Sequence, residues 1–126
     1  MKVKRFLIAG LAALALTSSA WAEGDAAAGA AVFTQCSACH AVGADAQNSV
    51  GPVLNGIVGR PAGTYPSYRY SSAMRKSGLT WDEPTLRQYL KGPDKLVPGS
   101  KMVFPGLASD QDLGNLIAYL KQQQAE

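Results

Sequence analysis

Residues 34–42 read TQCSACHAV. They hold both cysteines of the chain, Cys36 and Cys39, and its one histidine, His40. The soft and redox-active donors, methionines apart, are thus packed into five consecutive positions. The flanking sequence gives them a helical setting. Asp25 is an N-cap residue, and the alanine-rich run after it favours helix. Gly29, Val32, Phe33, Cys36 and His40 then recur at the spacing of one helix face. The pattern predicts a helix from about residue 23 to residue 40. Gly29 in its interior costs about 1 kcal/mol against alanine, which points to a close approach by another element or to tolerated strain.

Cys-x-x-Cys-His is the attachment pattern of c-type haem. Cysteines at i and i+3 lie on one side of a helical turn, so two sulfurs reach the two vinyl groups of one haem. The adjacent histidine then meets the iron from the same side. The competing chemistries fit less well. A thioredoxin-like pair needs a preceding strand, and no strand pattern is present. A closed zinc site needs four ligands, and two cysteines, one histidine and no second cluster fall short. A catalytic Cys–His pair leaves Cys39 without a role.

The first 22 of the 126 residues read as a secretory leader, not as domain. MKVKR is basic, the apolar run that follows spans residues 6–16, and Ala20-Trp21-Ala22 supplies a small-x-small cleavage pattern. That run is too short to span a bilayer, which takes about 20 residues as a helix. Cleavage after Ala22 leaves a single domain, residues 23–126, and places it in the periplasm, with no membrane insertion. Lys2, Lys4 and Arg5 leave with the leader, and the remaining basic residues balance the nine acids. The basic pI therefore gives no reason to expect nucleic acid. Arg87, Lys91, Lys95 and Lys101 still gather in one stretch, and an uneven surface can orient a partner.

A domain of this size has a limited core. A disulfide between Cys36 and Cys39 would close too short a loop to stabilise it much. The Gly/Pro-rich stretch 41–69 forbids long regular elements, yet carries Val53, Leu54, Ile57, Val58, Tyr65 and Tyr68. Such a loop is best wrapped around something hydrophobic. Further on, residues 71–78 predict a short helix closed by Gly78. Thr80 and Glu83 form a capping box for a helix with Leu86, Tyr89 and Leu90 on its apolar face, ended by Gly92-Pro93. Residues 94–108 read as loop. Ser109 caps a last helix whose stripe is Leu113, Leu116, Ile117 and Leu120.

With one histidine, the second axial ligand is sought among methionines. Met1 belongs to the leader. Met74 lies in the short helix, where core packing explains it. Met102 lies in VPGSKMVFPG, a loop set by a Pro98-Gly99 turn between two helices. Met102 is the expected ligand. Histidine and methionine together leave no open position for a substrate. That argues for electron transfer and against an enzyme.

Several separated segments, CSACH, GPVLNGIVGR, YSSAM, LTWDEPTLRQYL, PGSKMVFPG and LIAYLK, make residues 24–120 resemble a class I cytochrome c, of the bacterial kind similar to the mitochondrial protein. The resemblance implies an all-α fold, with three to five helices and long loops around one covalently bound haem. It implies that the Pro52 carbonyl orients His40. It implies that Arg60, Tyr70 and Trp81 hold the haem propionates and that Tyr89 donates to the methionine sulfur. Ser100 falls where threonine is usual, and Phe104 belongs to the same haem-contacting loop. Gly29, Phe33, Leu116 and Tyr119 match a crossing of first and last helices. Met74 departs from the mitochondrial pattern, which has an asparagine there as part of a polar network. The implied role is a monomeric one-electron carrier that docks transiently on a membrane quinol-oxidising complex and on a terminal oxidase or similar acceptor. Lys91, Lys95 and Lys101, with Arg75 and Lys76, are the candidate rim charges.

Overall fold

A computed structural model describes residues 7, 9–14 and 24–123 of the chain. Five helices occur among these residues: α1 (Ala26–Phe33), α2 (Ser72–Lys76), α3 (Glu83–Lys91), α4 (Pro93–Leu96) and α5 (Asp110–Lys121). No strand is present among the described residues, only an isolated antiparallel bridge between Pro61 and Thr80. Most of residues 1–22, the expected leader, lies outside the described residues. Its described part has no regular structure, and Leu7, Leu11 and Leu14 there are exposed.

The two terminal helices form the frame. The Asp25 carboxylate accepts from the Ala27 and Ala28 amides and starts α1. Ser109 does the same for α5 through the Asp112 amide. The helices cross at Gly29, where a Cβ would lie 1.9 Å from the Asn115 carbonyl oxygen. Only a glycine allows this approach, so the cost of Gly29 to helix propensity is offset by packing. Phe33 and Tyr119 close the crossing with ring centroids 5.3 Å apart. The buried Asn115 side chain accepts from the Asp25 amide at 2.8 Å and ties the start of α1 to α5. Leu113, Leu116, Ile117 and Leu120 are all buried, as their helical spacing predicts.

Three local expectations change. α1 ends at Phe33, and the cysteine motif continues in successive turns, with the Cys36 amide on the Phe33 carbonyl and the His40 amide on the Cys36 carbonyl. The helical side-by-side placement of the motif survives although the regular helix stops. The N-cap of α3 is Asp82, which accepts from the Thr85 amide, in place of the Thr80–Glu83 box. Thr80 is drawn instead into the pairing of segments 59–62 and 79–81, where Gly59 donates to Trp81, Trp81 to Arg60 and Ala62 to Leu79. Finally, Gly92-Pro93 does not open a loop directly. Pro93 begins α4, whose first turn needs no amide hydrogen from it.

Candidate functional site

Between α1, α3, α5 and the loops lies a cavity of about 230 Å³. One buried water occupies only about 10–15 Å³ on that measure, so this is no packing defect. Leu54, Ile57, Leu86, Leu116 and Leu120 make it apolar. Cys36, Cys39 and His40 lie on its wall, and so do Ser100, Met102 and Phe104 of the loop after α4. Tyr70, Trp81 and Tyr89 line it too, as does Pro52. Of the residues expected to hold the haem or its iron, Arg60 alone stands off the wall. Its guanidinium donates to the Asn55 and Val53 carbonyls at 3.0 and 3.4 Å and lies 4.9 Å from the centre of the Tyr65 ring.

His40 is prepared as a nitrogen donor. Its Nδ1 lies 2.7 Å from the Pro52 carbonyl oxygen, which can only accept, so the proton sits on Nδ1. Nε2 of the neutral ring is then left with a free lone pair. Burial lowers the imidazole pKa, and the Pro52 bond only partly opposes this, which favours the neutral form. The ring is also pressed by backbone: a Cβ on Gly51 would come within 2.5 Å of it. Burial, and then the neighbouring Cys39, push the Cys36 thiol upward. A thiol held protonated is a poor nucleophile and a poor thiolate ligand, which weighs against a redox or catalytic cysteine.

The opposite loop is held at both ends and in its middle. Leu107 donates to the Leu90 carbonyl at 2.8 Å and the Val97 amide to Pro93 at 2.9 Å. In between, the Tyr89 hydroxyl lies 2.7 Å from Ser100 Oγ, which also accepts from the Met102 amide at 3.4 Å. The tyrosine thus reaches the Met102 loop through Ser100, where the resemblance had it donate to the methionine sulfur. Trp81 packs on it with ring centroids 4.8 Å apart.

Two cavity residues carry roles that the sequence reading missed. Tyr68 stands edge-on to Tyr70 at 4.8 Å and donates to the Val50 carbonyl at 2.7 Å, joining two loops at the cavity rim. Its position two residues before Tyr70 was the available signal, because alternate residues of extended chain share a face. Lys101 Nζ donates to the Arg69 carbonyl at 2.6 Å, a contact across 32 residues with no local signature. The charge cluster also thins out. Arg87 is buried beside Glu83, and Lys91 is paired with Asp110 at 2.8 Å. Lys95, Lys101, Arg75 and Lys76 remain exposed.

The residues present fit a covalently held haem. Two thiols, a neutral imidazole with a free Nε2 and a thioether surround one apolar cavity of suitable donor chemistry. The Cytochrome c family profile matches residues 26–124. The chain is 49% identical to a cytochrome c2 of Rhodomicrobium vannielii over 126 residues, the full length of both. It is 54% identical to a cytochrome c2 of Agrobacterium tumefaciens over 101 residues, 78% of this chain and 91% of the other. Among solved structures, cytochrome cH of Methylobacterium extorquens superposes with a TM-score of 0.75 at 50% identity, covering 79% of this chain and 99% of that one. Cytochrome c2 of Rhodospirillum centenum gives 0.76 at 38% identity, over 81% and 100%.

Proposed function

Because this chain belongs to the cytochrome c family, a family of electron carriers with one covalent haem c, we propose that it is a soluble periplasmic shuttle and not an enzyme. Haem c supplies reversible one-electron exchange between ferrous and ferric iron. Cys36 and Cys39 would hold it through thioether bonds, and His40 Nε2 and the Met102 sulfur would be its two further protein ligands. The observation that carries this reading is one apolar cavity with Cys36, Cys39, His40 and Met102 all on its wall.

The roles of the other residues follow from their contacts. Pro52 fixes the imidazole plane and tautomer. Tyr89 and Ser100 hold the Met102 loop. Tyr70, Trp81 and Phe104 exclude water from the cavity. Arg60 acts one layer back, bracing the Val53 and Asn55 carbonyls of the loop that follows Pro52. A thioether ligand and an apolar surround both favour the ferrous state and raise the potential.

Electrons pass at the cavity mouth. Val50 and Val103 line it and are 71% and 100% exposed, with Lys101 beside them. The protein docks there transiently, as a monomer with a small contact surface, on a quinol-oxidising complex and then on a terminal oxidase or similar acceptor. Periplasmic location rests on the leader pattern in residues 1–22. No helix among the described residues is long and apolar enough to cross a membrane. The test is oxidation of the purified ferrous protein by membranes that contain a terminal oxidase, after re-reduction by a quinol-oxidising complex. Turnover in both half-reactions supports the shuttle. Failure in both contradicts it.

A further inference from the structure

Two methionines line the cavity. Met74, on α2, is only 8% exposed and lines the same space as Met102. The segments that carry them are in contact: a Cβ on Gly99, in the turn leading to Met102, would lie 3.4 Å from the Ala73 Cβ. Their supports differ. Met102 rides on a loop whose middle is held by the Tyr89–Ser100 pair and the Lys101 contact to Arg69. Met74 belongs to a capped helical turn, its own amide donating to Ser71 Oγ at 3.0 Å. Loss of the loop contacts therefore leaves Met74 in place.

On the reading above, with Met102 as the resting ligand, we propose that Met74 is a reserve ligand, whose sulfur takes the axial position when Met102 leaves it. Methionine is unbranched with three rotatable side-chain bonds, so its sulfur can be redirected without unfolding the helix. One iron–sulfur bond breaks and another forms, and neither protons nor electrons change hands. The competing donor on the cavity wall is the Lys101 amine. Its Nζ is engaged with the Arg69 carbonyl at 2.6 Å. Recruiting Lys101 would break that bond, whereas Met74 is reached from its capped helical turn, so Met74 prevails.

The test uses ferrous holoprotein labelled with carbon-13 at the methionine methyls. A methyl held over a haem is moved far upfield by the ring current. Once the leader is removed, Met102→Ala leaves Met74 as the sole methionine. The proposal expects one upfield methyl in this variant at neutral pH, lost in Met74→Leu/Met102→Ala. A Met74 methyl at its ordinary position in Met102→Ala overturns it. Met102→Leu, which conserves volume, serves if the alanine variant fails to accumulate. If instead the wild-type upfield methyl persists unchanged in Met102→Ala and vanishes in Met74→Leu, Met74 is the resting ligand. That outcome overturns both this proposal and the Met102 assignment. No upfield methyl in the wild type overturns the His/Met reading itself.

Discussion

The Tyr89 hydroxyl lies 2.7 Å from Ser100 Oγ and joins α3 to the loop that bears Met102. Removing one such bond typically costs about 0.5–1.5 kcal/mol. Tyr89→Phe should lower the melting temperature of the holoprotein by several degrees, roughly 4–8 °C per kcal/mol for a domain near 100 residues. It should also speed entry of imidazole to the iron, read by stopped-flow absorbance. Burial, partly offset by the Ser100 bond, raises the Tyr89 phenol above the ordinary 10.0. The unfolded chain then releases this proton first, so the phenol's share of stability falls as pH rises past about 10. A melting curve followed with pH should show a shallower alkaline decline in Tyr89→Phe.

Gly51 lies against the His40 ring, 2.5 Å from where its Cβ would be. The His40–Pro52 bond gives the ring nowhere to retreat without losing its orientation. Gly51→Ala should therefore yield less haem-loaded protein and a displaced potential. Crowding of this kind typically costs about 1–3 kcal/mol. Unchanged loading and an unchanged potential would show that the ring tolerates rotation.

How much of this was legible in the residues depends on range. Cys36, Cys39 and His40 are a local pattern, and turns after α1 hold them together even where the helix stops. Gly29 was legible as a close approach because a glycine is costly inside an alanine helix, and its neighbour proves to be Asn115. The α5 stripe was legible from period alone. The Thr80 cap was misread because two local uses competed, and the bridge to Pro61 is set by tertiary pairing. α4 was missed because Gly92-Pro93 reads equally as a stop and as a new start. The Lys101–Arg69 contact and the Lys91–Asp110 pair join distant segments, and only the fold brings them together.

Glu83 accepts from Lys121 at 2.8 Å and faces Arg87 at 3.5 Å, linking α3 to α5. The Lys121 bond, reinforced by the charges of Lys121 and Arg87, holds the carboxyl below its ordinary 4.5. The unfolded chain then takes up this proton first as acid is added. The contribution is present above about pH 4.5 and disappears as pH falls through the folded-state value. Glu83→Gln should flatten that part of the acid decline in melting temperature. The pair is partly exposed, so the change should stay below about 1 kcal/mol and shrink with salt.

Lys101 and Lys95 are exposed, whereas Lys91 is already paired with Asp110. Neutralising Lys95 and Lys101 to glutamine should slow reaction with an acidic partner at low ionic strength. The effect should fade near physiological salt, where charges beyond about 8 Å are screened. Lys91→Gln should do less. Equal effects from all three would mean that the Lys91–Asp110 pair does not withhold charge from the partner.

On the proposed function, Cys36 and Cys39 carry a haem covalently at this cavity. The intact mass of the exported protein under denaturing conditions tests it most directly. The expected mass is that of residues 23–126 plus one haem, retained through denaturation and solvent extraction. A polypeptide at its bare mass, or a haem that extracts away, would contradict it.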